Sequence, residues 1–141
     1  MKKASKPFKV IVDTNIWISF LIGKSLTGLQ QYIYAQSVVI VTCEEQIHEL
    51  TDVFRKPKIS KYFTPEQIAE FFELLEESSE NVVLNTKIDL CRDLKDNYLL
   101  SLAIDSNADF LITGDNDLLV LNEIESTSII KFIDFETMML V

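Results

Sequence analysis

The sequence predicts an α/β fold, a parallel sheet with helices on both faces that forms a three-layer α/β/α sandwich. Three observations lead to that prediction. Strand-like and helix-like segments alternate along the chain. The strand-like segments 10–12 and 38–41 are continuous runs of β-branched residues, as expected of strands buried on both faces. The first run, Val10-Ile11-Val12, ends abruptly in Asp13. That is the carboxyl end of a strand, where open parallel sheets bind ligands. A carboxylate there is costly unless it is paired, hydrogen-bonded or bound to a metal.

Taken in order, Ile16 to Ile22 reads as a short buried helix stopped by Gly23. A second helix, Ser25 to Ala35, carries the stripe Leu26, Leu29, Ile33. The second strand is Val38 to Val41. Thr42 with Glu45 three residues on predicts a capping box opening the next helix. Ile47, Leu50 and Phe54 form its inward stripe, with Glu49 beside it at the edge of the core. Arg55-Lys56-Pro57-Lys58-Ile59-Ser60-Lys61 ends that helix with four cations. Thr64-Pro65-Glu66-Gln67 opens another, with a cap, a first-position proline and a capping-box Gln. Its stripe is Ile68, Phe71, Phe72, Leu75; its acids Glu66, Glu70, Glu73, Glu76 and Glu77 face solvent. Asn81 to Leu84 is a third strand. Asp93 and Asp96 start a helix that is apolar nearly all round, 98–104. Phe110 to Thr113 is the fourth strand, followed by the turn Gly114-Asp115-Asn116-Asp117 and a short helix, Leu118 to Leu121. Ser128 to Phe132 is a fifth strand, and Asp134 caps a last helical turn to Leu140.

The 141 residues suit one domain, 1–141, with residues 1–7 as a flexible N-terminal extension. Apolar residues are 48% and charged residues 25%, an ordinary globular balance that argues against disorder. No apolar run approaches the ~18–20 residues that span a bilayer, and the basic start is followed by no signal-peptide core. A cytoplasmic protein without a membrane partner is expected. Cys43 and Cys91 are far apart and read as free thiols. The single histidine, His48, argues against a zinc site or a Ser-His-Asp triad. Net charge is −9, unevenly spread: residues 1–61 carry nine Lys/Arg against five Asp/Glu, residues 62–141 four against seventeen. The overall acidity argues against a non-specific nucleic-acid coat protein. It leaves room for an enzyme that holds cations with acids and phosphates with a local basic patch.

The acids converge. Asp13 follows the first strand; Asp115 and Asp117 follow the fourth. Asp96 begins a helix that starts on the same side, and Glu49 reaches it if its helix leans over the edge. Such a cluster needs raised pKa values or a counter-ion. An all-oxygen donor set suits Mg²⁺ or Mn²⁺. These ions activate water at phosphorus, so the reaction class implied is metal-assisted phosphodiester hydrolysis.

Val12-Asp13-Thr14-Asn15, Glu49-Leu50, Arg92-Asp93-Leu94-Lys95-Asp96-Asn97 and Thr113-Gly114-Asp115-Asn116-Asp117-Leu118-Leu119 together resemble the PIN domain, in order and spacing, from Phe8 to about Val141. The resemblance is closest to the small prokaryotic VapC-like toxin components of toxin–antitoxin systems. It implies a five-stranded parallel sheet, strand order 3-2-1-4-5, and a Mg²⁺- or Mn²⁺-dependent ribonuclease with an antitoxin partner. The family's acidic quartet falls on Asp13, Glu49, Asp96 and Asp115. Asn15 and Thr113 match polar positions lining the site, and Asp117 an acid that often joins it. Arg55, Lys56, Lys58 and Lys61 are the candidate RNA phosphate contacts. The apolar surplus permits a homodimer.

Blander readings stand beside these. Asp13, Asp93, Asp96 and Asp115 are all ordinary cap or turn residues. His48 and Trp17 fit surface or packing roles better than a ligand or a base-stacking platform. A phosphoryl-transfer or receiver-type domain also places Asp and Mg²⁺ at strand ends. A dehalogenase-like enzyme would want a second Asp where Asn15 stands, and a receiver a Lys after a late strand, whereas Lys131 falls inside the predicted fifth strand. A non-catalytic PIN-like binding module is the third alternative.

Overall fold

The computed structural model describes residues 6–23, 26–90 and 94–140. The chain runs β1 (Phe8–Val12), α1 (Thr14–Gly23), α2 (Leu26–Tyr34), β2 (Val38–Thr42), α3 (Glu44–Arg55), α4 (Pro57–Ser60) and α5 (Pro65–Ser78). It continues β3 (Ser79–Asn81), α6 (Leu94–Ser106), β4 (Phe110–Ile112), α7 (Asn116–Leu119), β5 (Glu123–Ile124), β6 (Thr127–Ile130) and α8 (Phe132–Met139). Strand order is β3-β2-β1-β4-β6-β5. β1 is central, flanked in parallel by β2 (Val10 opposite Ile40) and β4 (Val12 opposite Ile112). The parallel α/β architecture is as the sequence predicts. The sheet has six strands rather than five because β5 folds back antiparallel on β6, Ile124 opposite Thr127. Asn122 and Glu125 bracket this short strand with positive φ (67° and 52°), which the sequence did not advertise with glycine.

Alternation along β1 divides the core. Val10 and Val12 face one side and Ile11 the other, all without exposed surface. The first face is covered by α1, α2, α3, α5 and α8, through Trp17, Phe20, Leu29, Leu50, Phe54, Phe71, Leu75 and Phe135. The second is covered by α6 and α7, through Leu99, Leu100, Leu102, Ala103 and Leu118. Each buried Leu or Phe among them contributes roughly 1.5–3 kcal/mol by leaving water.

Several local expectations need correction. Thr42 does not open a helix: it ends β2, and Cys43 takes the N-cap position of α3 without a side-chain cap bond. The Thr42 hydroxyl instead donates to Gln46 Oε1 at 2.6 Å, a partner buried one turn into the helix. The third strand lies at 79–81, not 81–84, because Ser79 passes straight from α5 into pairing with Ile40. β6 ends at Ile130, two residues early, and α8 starts at Phe132 with Lys131 at its N-cap, so Asp134 sits in the first turn and is no cap. Lys131 therefore follows the last parallel strand rather than lying inside it. The Thr64–Gln67 capping box forms as expected, with reciprocal bonds of 3.1 and 2.9 Å. Residues 1–5, Cys91, Arg92 and Asp93 lie outside the described residues, so the expectations placed on them find no counterpart here. No helix among those described is long and apolar enough to cross a membrane.

Candidate active site

The carboxyl edge of the sheet gathers the predicted acids from four places: the end of β1, the turn after β4, α6 and α3. β1 delivers Asp13, which is only 6% exposed. Its backbone N–H donates to the Ile112 carbonyl, which seats it between β1 and β4. Its Oδ2 accepts from the Thr113 hydroxyl at 2.7 Å. The same hydroxyl accepts the Asp115 N–H at 3.0 Å, so one threonine oxygen aligns two acids. Burial pushes the Asp13 carboxyl above its ordinary value; the Thr113 and Asn15 hydrogen bonds oppose this, and the Glu49 and Asp115 charges add to it. Asn15 contributes its backbone N–H, at a long 3.4 Å from Oδ1, while its side chain is exposed.

The turn after β4 supplies Asp115 and Asp117. Asp115 caps α7, its Oδ1 accepting the Asp117 N–H at 2.9 Å. The bland cap reading of Asp115 is therefore structurally correct, and it leaves the carboxylate at the sheet edge. One carboxylate oxygen from each of Asp96, Asp115 and Asp117 lies within 4.8 Å of the other two. Asp96 is buried in the first turn of α6.

Glu49 reaches the edge from α3. Thr14 Oγ1 donates to its Oε1 at 2.7 Å, and Tyr98 Oη donates to the same oxygen at 2.5 Å. Three supporting residues, Thr14, Tyr98 and Gln46, carry no strong signal in the sequence. Thr14 follows a conspicuous aspartate, and Tyr98 sits in an apolar helix. Gln46, fully buried, donates Nε2 to the Val12 carbonyl at 2.6 Å. A glutamine three residues before Glu49, on the edge of an apolar stripe, was the available signal. Gln46 and Glu49 lie one turn apart, so α3 grips the residue before Asp13 and the residue after it.

The basic candidates stand away from these contacts. Arg55, Lys56, Lys58 and Lys61 are exposed on and after α3. Arg55 lies 3.9 Å from Asp52, and the Lys61 ammonium sits 5.3 Å from the Tyr62 ring centre. No ion pair joins them to the acids among the described residues. His48 is exposed and Trp17 buried, as expected.

Comparison with known proteins agrees with this architecture. Residues 9–117 match the PIN domain family. The chain belongs to that family. PIN domains are generally nucleases, which supports a hydrolase and sets aside the receiver-type alternative that the position of Lys131 alone would reopen. An uncharacterized protein of Methanocaldococcus jannaschii is 32% identical over 127 residues, 87% of this chain and 81% of that one. A crystal structure of VapBC2 from Rickettsia felis, bound to a DNA fragment from their promoter, is similar in fold. It has a TM-score of 0.56 and 17% identity, covering 86% of this PIN chain and 97% of the solved one.

Proposed function

We propose that this PIN domain is a divalent-metal-dependent ribonuclease that hydrolyses RNA phosphodiester bonds, and that it serves as the toxin component of a type II toxin–antitoxin system. The observation that carries the reading is the meeting of Asp96, Asp115 and Asp117 at one sheet edge, with Asp13 joined to Asp115 through the Thr113 hydroxyl and Glu49 close enough to raise the Asp13 carboxyl pKa. The donors fit a hard cation. All are carboxylate oxygens, three of them within 4.8 Å of one another. Asp13, Glu49, Asp96 and Asp115 would hold Mg²⁺ or Mn²⁺, with Asp117 as a further ligand. Bound there, the ion would activate water and neutralise charge developing at phosphorus.

The chain's own residues prepare that chemistry. The Thr113 hydroxyl fixes the Asp13 carboxylate against the Asp115 turn. Thr14 and Tyr98 fix Glu49. Exposed Lys56, Lys58 and Lys61, with Arg55, offer charge to RNA phosphates beyond the site. The fold shared with a solved VapBC complex supports an antitoxin protein as partner. In this reading the protein acts in the cytoplasm and pairs as a homodimer.

The test is cleavage of RNA by the purified chain with Mg²⁺ or Mn²⁺ added after chelation. Asp13→Asn should lower the rate by about a hundredfold or more. Equal cleavage by that variant, or full cleavage in chelator, would sink the assignment.

A further inference from the structure

Tyr98 stands out on the second face of the sheet. Among the described residues it is the single aromatic in a core otherwise made of Leu, Ile, Val, Ala and Cys side chains. Packing alone would be served as well by Phe or Leu, so the hydroxyl needs its own explanation. That hydroxyl lies 2.5 Å from Glu49 Oε1 and 3.2 Å from Thr14 Oγ1, and Thr14 Oγ1 is itself 2.7 Å from Glu49 Oε1. The three oxygens form a closed triangle. Each hydroxyl has one hydrogen, and an ionised carboxylate only accepts. Both hydrogens therefore point at Glu49, leaving the Thr14–Tyr98 side of the triangle as a plain contact.

We propose that Tyr98 is a positioning residue that, with Thr14, clamps one oxygen of Glu49 and so sets the separation of three acids. The proposal rests on the reading of Glu49 as a cation ligand. Thr14 directly follows Asp13, and Tyr98 lies two residues after Asp96. A single carboxylate oxygen thus ties the α1 start, α3 and α6 together, each beside or bearing a different acid. The tie crosses the molecule: α3 packs on one face of the sheet and α6 on the other. With Oε1 doubly held, Oε2 accepts no hydrogen bond among the described residues, and it is the oxygen offered to the ion.

The test is Mn²⁺ titration by calorimetry on the full chain as wild type, Tyr98→Phe, Glu49→Gln and the double variant. Tyr98→Phe keeps the ring and deletes only the hydroxyl. The expected result is a loss of about tenfold or more in Mn²⁺ affinity. The double variant should bind no more weakly than Glu49→Gln alone, since both changes act through one carboxylate. Thr14→Val removes the other hydroxyl, and it tests the clamp should Tyr98→Phe fail to fold. Wild-type affinity in Tyr98→Phe, or additive losses in the double variant, overturns the clamp while a weakened Glu49→Gln leaves the cation site standing. A wild-type chain that takes up no Mn²⁺ removes the cation reading and the clamp together.

Discussion

On one face of the sheet the core is built from rings, and on the other from aliphatic side chains and alanines. Phe135 meets Tyr32, Phe110 and Phe132; Phe54 meets Phe63, Phe71 and Phe72; Trp17 meets Phe20 and Phe71. Most of these pairs are edge-on, the arrangement the ring quadrupole favours. Opposite them, α6 lies on the sheet through Leu99, Leu102 and Ala103, with Ala108 completing the surface. The ring face carries Glu49 and Gln46 on α3; the aliphatic face carries Asp96 and Tyr98 on α6. The candidate site is the seam where the two packings meet above β1. Neither core contains it, and both position it.

That contrast can be tested by removing one large side chain from each face. Phe135→Ala should cost about 3–5 kcal/mol, and Leu102→Ala about 2–5 kcal/mol, measured by chemical denaturation. A costlier leucine would show that the ring face is the more forgiving of the two. A smaller effect is expected at the seam itself. Gln46→Met keeps the volume but strips a buried partner from the Val12 carbonyl and the Thr42 hydroxyl. The expected loss is about 1–3 kcal/mol, with faster amide exchange near Asp13. Unchanged exchange there would show that α3 does not hold the end of β1.

The subtlest effect concerns charge at the seam. The folded chain binds the Asp13 proton more tightly than the unfolded chain, because burial raises its pKa above 3.8. Metal-free stability from this group is therefore highest below 3.8 and falls as pH rises through the folded value. Asp13→Asn should melt above wild type at pH 7 in chelator, and the difference should shrink towards pH 4. A lower melting point at neutral pH would mean that the Thr113 bond outweighs desolvation. By contrast the Cys43 thiol, pushed up to about 12 by burial, lies too deep to titrate in this range.

Much of the architecture was legible in the sequence. Continuous β-branched runs at 10–12 and 38–41, and helical stripes such as Ile68, Phe71, Phe72, Leu75, located the central strands and the covering helices. The errors lie where local chemistry served two masters. Thr42 and Glu45 spell a capping box, yet pairing with Asn81 of β3 drew Thr42 into the sheet. Ser128 to Phe132 reads as one strand, yet the ring face claimed Phe132 for α8, against Phe20 and Phe135. The positions of the acids followed from strand ends and helix starts. Their hydroxyl partners did not, because Thr14 and Tyr98 are meaningful only once Glu49 is known to lie between them.

The small antiparallel strand β5 has a further consequence. A parallel sheet ending at β6 would present an open row of amides and carbonyls to any extended chain. Two residues of β5 occupy that row, and at the far end β3 is three residues long, with Glu80 lying 3.7 Å from Lys9. Both margins are too short and too polar to template a neighbouring strand. The sheet is therefore closed at both margins to edge-to-edge pairing with a second copy.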